Sequence, residues 1–151
     1  MNATEPISSL RHTLVEVALE WQHRFGVAPH ITSAISEYDA AVLVGCSEDA
    51  YSLQMAIRTA VGRGYDFLYE GKRYQVKANR PSGKPGSFVT LVAKATNYEW
   101  DFLVWVLYDK YFVMQEAWLW QVNTYRTCFD HQKRLSPSDM RRGRCLFKAR
   151  T

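Results

Sequence analysis

The sequence contains few cysteines, and their spacing excludes two classes of protein. Cys46, Cys128 and Cys145 form an odd set of three with no C-x-x-C pair, whereas disulfide frameworks need even sets and structural zinc sites need paired ligands. The four histidines also lack the short spacings of metal ligands. We therefore expect reduced cysteines, and neither a disulfide scaffold nor a zinc site.

The sequence also lacks a hydrophobic run long enough to cross a membrane. Its longest apolar stretches, at residues 40–44 and 102–108, fall short of the roughly 20 residues that a membrane-spanning helix needs. Residues 1–6 contain no basic start followed by an apolar run, which a secretory signal would require. These absences predict no membrane association and a cytoplasmic location.

The composition is that of an ordinary globular domain. Of the 151 residues, 47% are hydrophobic, 14% are aromatic and 23% are charged, which is sufficient for one apolar core and atypical of a disordered chain. The sequence contains no internal repeat. Because chains of this length usually form one domain, we predict a single domain over residues 1–151.

Positive charge is concentrated towards the C-terminus. Residues 1–122 contain 11 Lys and Arg against 13 Asp and Glu, whereas residues 123–151 contain 8 against 2. Such a segment is typical of a protein that binds nucleic acid, and it is equally typical of a solvated tail that keeps a protein soluble. Both interpretations stay open. Within the basic segment 131–151, the candidates for contacts with nucleic acid are Arg141, Arg142 and Arg144.

Hydrophobic periodicity predicts helices first and strands afterwards. Apolar residues recur at the helical period over residues 8–25, 33–44 and 48–61, and from Gly64 onward the period approaches two. We expect the first helix to pack through a stripe formed by Leu10, Leu14, Val17, Ala18, Trp21 and Phe25. The predicted strands lie at residues 65–69, 72–78, 88–92, 102–108 and 112–122, with a short helix within 123–130.

A two-residue turn at Glu70-Gly71 would set the pairing of the first two strands. In that register Asp66 faces Gln75, and alternation along the strands puts Lys77 on the same side of the sheet. Directly opposed Cβ atoms lie about 4.5–5.5 Å apart, so a carboxylate, a carboxamide and an ammonium would come within reach of one small ligand. The simpler interpretation is a cross-strand ion pair between Asp66 and Lys77, and the spacing alone favours it.

These residue types suit the hydrolysis of a phosphodiester with a hard cation. Mg²⁺ prefers oxygen ligands, which Asp66, the amide of Gln75 and the backbone carbonyl of Val76 would supply. Lys77 would orient the attacking water or neutralise the charge that builds on the phosphate.

The segment from Gly64 to Lys77, GYDFLYEGKRYQVK, resembles the core motif of the PD-(D/E)XK nuclease superfamily, which has the restriction-endonuclease-like fold. In that family an Asp begins one strand of a hairpin and an acid-x-Lys triplet lies on the next strand. The resemblance extends over residues 33–130 and implies an α/β fold with a mixed β-sheet flanked by helices. It also implies an endonuclease that cleaves DNA with Mg²⁺ or Mn²⁺.

The resemblance assigns a role to each residue of the motif. Asp66 matches the first metal-binding acid, Gln75 the second acidic position and Lys77 the catalytic lysine. Glu37, on the preceding helix, matches an accessory metal-binding acid. A cationic loop follows the motif, and its candidates for contacts with DNA are Arg80 and Lys84.

Two positions depart from the family pattern. Tyr65 replaces the proline before the Asp, which is a mild change, whereas Gln75 removes a carboxylate from the metal site. That loss leaves open a non-catalytic nucleic-acid-binding or protein-interaction module on the same fold. A third interpretation is a homodimer or larger assembly that pairs through strand 112–122, with Trp118 and Trp120 buried in the core or at that interface.

Overall fold

The computed structural model describes residues 5–58 and 64–150. No helix within these two ranges is both long enough and apolar enough to cross a bilayer. The predicted continuation of the third helix over residues 59–61 lies outside the described residues. The elements are α1 (Ile7–Phe25), α2 (Thr32–Val44), α3 (Glu48–Ile57), β1 (Phe67–Tyr69), β2 (Lys72–Asn79), β3 (Phe102–Tyr108), β4 (Met114–Gln121), α4 (Val122–Phe129), α5 (Pro137–Met140) and β5 (Arg144–Lys148).

The five strands form one mixed sheet in the order β1-β2-β3-β4-β5. β2 and β3 are parallel, and the other neighbouring strands are antiparallel. Since parallel neighbours need a crossover connection, the chain between β2 and β3 must return along the sheet, which it does through residues 80–101. The structure confirms the predicted α/β class with a mixed sheet and helices.

The hairpin of β1 and β2 has the predicted register. Phe67 pairs with Tyr74 and Tyr69 with Lys72, so Glu70 and Gly71 form a two-residue turn. Both turn residues have positive φ angles, of 51° and 75°. Two-residue hairpin turns favour this conformation because it follows the right-handed twist of the strands.

Each face of the sheet carries its own apolar cluster. Val104 and Val106 of β3 lie in a cluster that includes residues of α1, α2 and α3, whereas Leu103 and Trp105 lie in a second cluster with residues of α4 and α5. β3 is therefore buried on both faces, as its continuous apolar sequence predicts. Trp120 is buried in the second cluster, whereas Trp118 is only half-buried.

The prediction of a strand at residues 88–92 is wrong. Residues 80–101, all of them described, contain no strand and only one isolated bridge, in which the Val92 N–H donates to the Leu135 carbonyl at 2.9 Å. Pro81 and Pro85 lack N–H groups, and Phe88 is exposed. The segment therefore covers one face of the sheet instead of extending it.

Within the basic segment, residues 144–148 form the strand β5 and so belong to the sheet. β5 pairs antiparallel with β4, with Trp118 opposite Cys145 and Ala117 opposite Phe147. Its side chains are mostly exposed, so its sequence carries too little hydrophobic alternation to mark a strand. Before it, Ser136 and Asp139 form a capping box at α5.

β4 begins later than predicted because Phe112, with a φ angle of 62°, belongs to the preceding turn. The strand lies between β3 and β5, so both of its edges are hydrogen-bonded within the chain. Edge-to-edge pairing of two copies through this strand would therefore require opening the sheet.

α1 packs through a different face from the one predicted. Of the predicted stripe only Ala18 is buried, while Leu10, Val17 and Trp21 are at least half exposed. Polar contacts explain the orientation, since the Arg11 guanidinium donates to both Asp39 carboxylate oxygens at 2.5 and 2.7 Å. A further contact near the other end of the helix joins its Gln22 to the crossover segment.

Candidate active site

The hairpin brings Asp66 and Gln75 into contact. Asp66 lies just before β1, and its N–H donates to the Tyr74 carbonyl at 2.7 Å, which extends the pairing by one residue. Its carboxylate Oδ2 accepts hydrogen bonds from Gln75 Nε2 at 3.1 Å and from the Val76 N–H at 2.7 Å. The predicted juxtaposition of these residues is therefore present.

β1 begins only at Phe67, so the Val76 N–H donates to the Asp66 carboxylate where an earlier residue of β1 would have offered a backbone carbonyl. Backbone N–H groups of a strand point along the sheet towards its neighbour, so the Val76 N–H places the carboxylate near the plane of the sheet. The carbonyl of Val76 points to the same edge, since the N–H and C=O of one strand residue lie on the same side. The Asp66 carboxylate and the Val76 carbonyl, both oxygen donors, therefore come together where β1 begins.

Glu37 approaches this edge from α2, and its carboxyl group lies close to that of Asp66. α2 lies close to the sheet because Ala40 and Ala41, which are fully buried, allow a close approach. Burial first, and then the charge and hydrogen bond of Asp66, raise the pKa of Glu37 to about 7, while Arg58 acts in the opposite direction. Glu37 therefore holds its proton to a higher pH than an ordinary glutamate does.

Arg58 is a site residue that the sequence did not reveal. From the end of α3 its guanidinium donates to the carbonyls of Asp66 at 2.5 Å and Tyr65 at 2.8 Å. One turn earlier, Gln54 donates to the Leu68 carbonyl at 3.0 Å and accepts from the Leu68 N–H at 2.7 Å. No motif could identify these residues, because their partners are backbone atoms.

Lys77 lies two residues beyond Gln75 on the same side of β2, next to Trp105 of β3. Within the part of the chain that the structure describes, its ammonium forms neither a hydrogen bond nor an ion pair. The simple cross-strand ion pair with Asp66 is therefore not formed. The Lys77 side chain is half-buried on the same side of β2 as Gln75.

The donor set at this edge fits a hard divalent cation. Glu37 and Asp66 supply two carboxylates, and Mg²⁺ is commonly bound through one or two carboxylates with waters completing its shell. The Val76 carbonyl lies on the same edge, while Gln75 uses its amide nitrogen on Asp66. The described residues contain no group of three or more His, Cys, Asp and Glu side chains suited to a metal, so the set is modest in charge.

The cationic residues predicted to contact DNA have different surroundings. Arg80 donates to Gln22 at 2.6 Å and to the Lys110 carbonyl, and its guanidinium lies 4.0 Å from the centre of the Phe112 ring. These contacts hold the crossover against α1 and the β3–β4 turn. Lys84 is exposed on the same segment, so it is the better placed of the two for a phosphate.

The basic residues near β5 lie at the opposite edge of the sheet from β1. Arg141 forms a bidentate pair with Glu116, both contacts at 2.7 Å, and Arg142 lies 3.8 Å from Asp139 and over the Phe129 ring. Arg144 is exposed. Arg144 is therefore the one of the three most available to a polyanion.

No protein-family model matches the chain, and no curated protein matches it.

Proposed function

We propose that this α/β domain has a restriction-endonuclease-like fold and is a metal-dependent nuclease of the PD-(D/E)XK type that hydrolyses phosphodiester bonds in DNA. The observation that carries the proposal is the pair of Glu37 and Asp66, whose carboxyl groups lie side by side at a sheet edge next to Gln75. Two adjacent carboxyl groups, one with a pKa raised to about 7, are typical of a functional site, and a cation there would favour the charged form of both.

Each residue has a role that follows from its position. Glu37 would lose its proton and, together with Asp66, would hold Mg²⁺ or Mn²⁺, with the Val76 carbonyl on the same edge. When bound, the cation would polarise a phosphate oxygen and lower the pKa of a bound water. Lys77 neutralises the charge that develops on the phosphate, and Gln75 orients Asp66 through its amide.

The same site also supports a second candidate function. Gln75 stands where a third carboxylate would strengthen the hold on a cation, and fewer charged ligands mean weaker binding. A non-catalytic module that binds nucleic acid on this fold would keep Lys77 and the basic loop without cleaving. Cleavage assays separate the two candidates directly.

The test is cleavage of plasmid and oligonucleotide DNA with Mg²⁺ or Mn²⁺. We expect Asp66→Asn and Glu37→Gln to lose both metal binding and cleavage, because each removes a negative charge from the cation. Lys77→Met should keep metal binding while turnover falls by about 10²–10³, the typical cost of losing one electrostatic stabiliser. Asp49→Asn, at an exposed carboxylate of α3, is the control and should cleave normally.

The opposite results would reject the nuclease. If the wild-type protein is inert on DNA with both metals, and Gln75→Glu does not activate it, the non-catalytic binding module is the function that remains. Full activity of Asp66→Asn would instead show that the active site lies elsewhere.

A further inference from the structure

α1 presents an apolar face that no described part of the chain covers. Leu10, Val17, Trp21 and Phe25 are between 50% and 63% exposed, and Leu14 is 38% exposed. They follow one another along a single stripe, because residues three and four apart lie on the same side of a helix. Contiguous apolar surface of this kind usually marks an interaction site, whereas isolated exposed residues do not.

The stripe has the character of a helix-pairing surface. Leu10, Leu14, Val17 and Trp21 are spaced by four, three and four residues, which is the a and d spacing of paired helices. No charged residue interrupts the stripe. At its rim Glu20 and Arg24 neutralise each other at 2.7 Å, and Glu16, 3.0 Å from His12, keeps a mostly exposed side chain.

The shape of the stripe indicates what kind of surface covers it. The N-terminal half of the stripe borders a hollow of about 190 Å³ lined by Leu10, Leu14, Tyr38 and Tyr51, among others. The C-terminal half carries the exposed rings of Trp21 and Phe25, whose centres are 4.8 Å apart. An apolar cavity of about 150 Å³ is enough to hold a benzene ring, so the hollow can accept an aromatic side chain.

We propose that a second copy of this chain covers the stripe, with the two α1 helices antiparallel about a two-fold axis near Val17. The hollow lies on the N-terminal side of Val17 along α1, and the Trp21 and Phe25 rings lie on its C-terminal side. A two-fold axis there puts the Trp21 and Phe25 rings of each copy over the Leu10 and Leu14 hollow of the other. Such an interface is self-complementary, as a two-fold dimer requires.

The area is that of a small interface. With about 150–250 Å² for each fully exposed aromatic ring and somewhat less for each aliphatic side chain, the exposed fractions amount to roughly 430 Å² of apolar surface per copy. Both copies together then bury about 860 Å² of apolar surface, to which the polar rim of the stripe adds, against the roughly 1,000 Å² of total area that a specific interface needs. This inference does not depend on the proposed nuclease function.

Sedimentation equilibrium tests the dimer directly. The wild-type chain should have twice its monomer mass of 17.5 kDa, and Val17→Glu should be a monomer, because the substitution buries two carboxylates at the axis. The matched control is Leu53→Glu on α3, where Leu53 is 66% exposed, and it should stay dimeric. Far-UV circular dichroism establishes that both variants keep the fold.

A cysteine at the axis tests the register. In a background with Cys128→Ser and Cys145→Ser, Val17→Cys should form a disulfide-linked dimer on mild oxidation, whereas Leu53→Cys should not. A wild type that sediments as a monomer at every soluble concentration would overturn the proposal. So would equal cross-linking at the two positions, or a monomer that binds phosphatidylcholine vesicles through the stripe.

Discussion

At the scale of single residues, this site differs from an ordinary charged surface because Glu37 lies beside another carboxyl group, that of Asp66. A carboxylate that pairs with a lysine is stabilised in its charged form, whereas two carboxylates in contact penalise the second charge. Burial first, and then the charge of Asp66, raise the pKa of Glu37 to about 7. A divalent cation bound there would favour the charged form of Glu37.

The pH dependence of stability should reveal this interaction. Folded Glu37 keeps its proton up to about pH 7, whereas in the unfolded chain it releases the proton near 4.5. Between these values the folded state binds more protons, so the free energy of unfolding should fall as pH rises. Glu37→Gln should remove part of that fall, measured by urea unfolding across the range. A slope identical to that of wild type would contradict it, and Glu16→Gln, at an exposed carboxylate, provides the control.

Gln75 should limit the affinity of the site for cations. Gln75→Glu adds a negative charge next to Asp66, and one such charge at a partly solvated distance is worth about tenfold in affinity. Isothermal titration with Mn²⁺ should show that gain in Gln75→Glu. Gln75→Ala is the matched comparison, because it removes the amide without adding charge. Equal affinity of Gln75→Glu and wild type would place the cation elsewhere.

At the scale of elements, α3 acts as a clamp on β1. The strand has three residues and lies at the edge of the sheet, and such short edge strands are weak on their own. Gln54 pairs with both backbone groups of Leu68, and Arg58 holds the peptides next to Asp66. The first site carboxylate is therefore positioned by a helix that the motif does not include.

Loss of the Gln54 contact should loosen β1 without unfolding the protein. Gln54→Ala removes two hydrogen bonds from an exposed strand, and we expect a loss of about 1 kcal/mol, or about 2–4 °C in Tm. Amide hydrogen exchange at Leu68 should become faster, while exchange in β3 stays unchanged. Ser52→Ala, on the exposed side of α3, controls for helix propensity, and unchanged exchange at Leu68 would argue against the clamp.

Around β5, two arginines of the basic segment should behave differently. Arg141→Ala leaves Glu116, which is 9% exposed, without its bidentate partner, and a nearly buried charge left unpaired should cost about 1–3 kcal/mol. Arg144 is exposed, so Arg144→Ala should change stability by no more than about 0.5 kcal/mol. Urea unfolding measures both. If Arg141→Ala lowers the free energy of unfolding no more than Arg144→Ala does, the pair of Arg141 and Glu116 contributes nothing to stability.

DNA binding should depend on the exposed basic residues rather than on Arg141. Arg144→Gln and Lys84→Gln should each weaken binding on all sequences and reduce the slope of log affinity against log salt by about one unit. Fluorescence anisotropy at several salt concentrations measures the slope. Thr90→Ala, at an exposed residue of the crossover, is the neutral control, and an unchanged slope in both Gln variants would leave the basic segment as a solubilising surface.

At the scale of the whole molecule, one polar cluster decides how the helical layer sits on the sheet. Asp39 of α2 accepts hydrogen bonds from Arg11 of α1 and from the Tyr108 hydroxyl of β3, at 2.5 to 2.7 Å. Charge-assisted bonds of this length are strong and directional. They bring Arg11 inward, and the apolar stripe consequently turns outward.

The sequence by itself determined the features that depend on interactions between residues close to one another along the chain. The turn at Glu70 and Gly71 is set by two residues that adopt positive φ, and its register then places Asp66 opposite Gln75. Burial of β3 on both faces follows from its uninterrupted apolar sequence. These features depend on neighbours along the chain or across one hairpin, so a pattern in the sequence is sufficient to predict them.

Tertiary structure decided the features that depend on distant parts of the chain. Arg58 and the orientation of α1 follow from contacts with backbone atoms and with Asp39, for which periodicity carries no signal. β5 forms because β4 offers it an open edge, although its own residues are mostly exposed. Glu37 lies beside Asp66 because α2 packs over the start of β1, and burial there raises the pKa of Glu37.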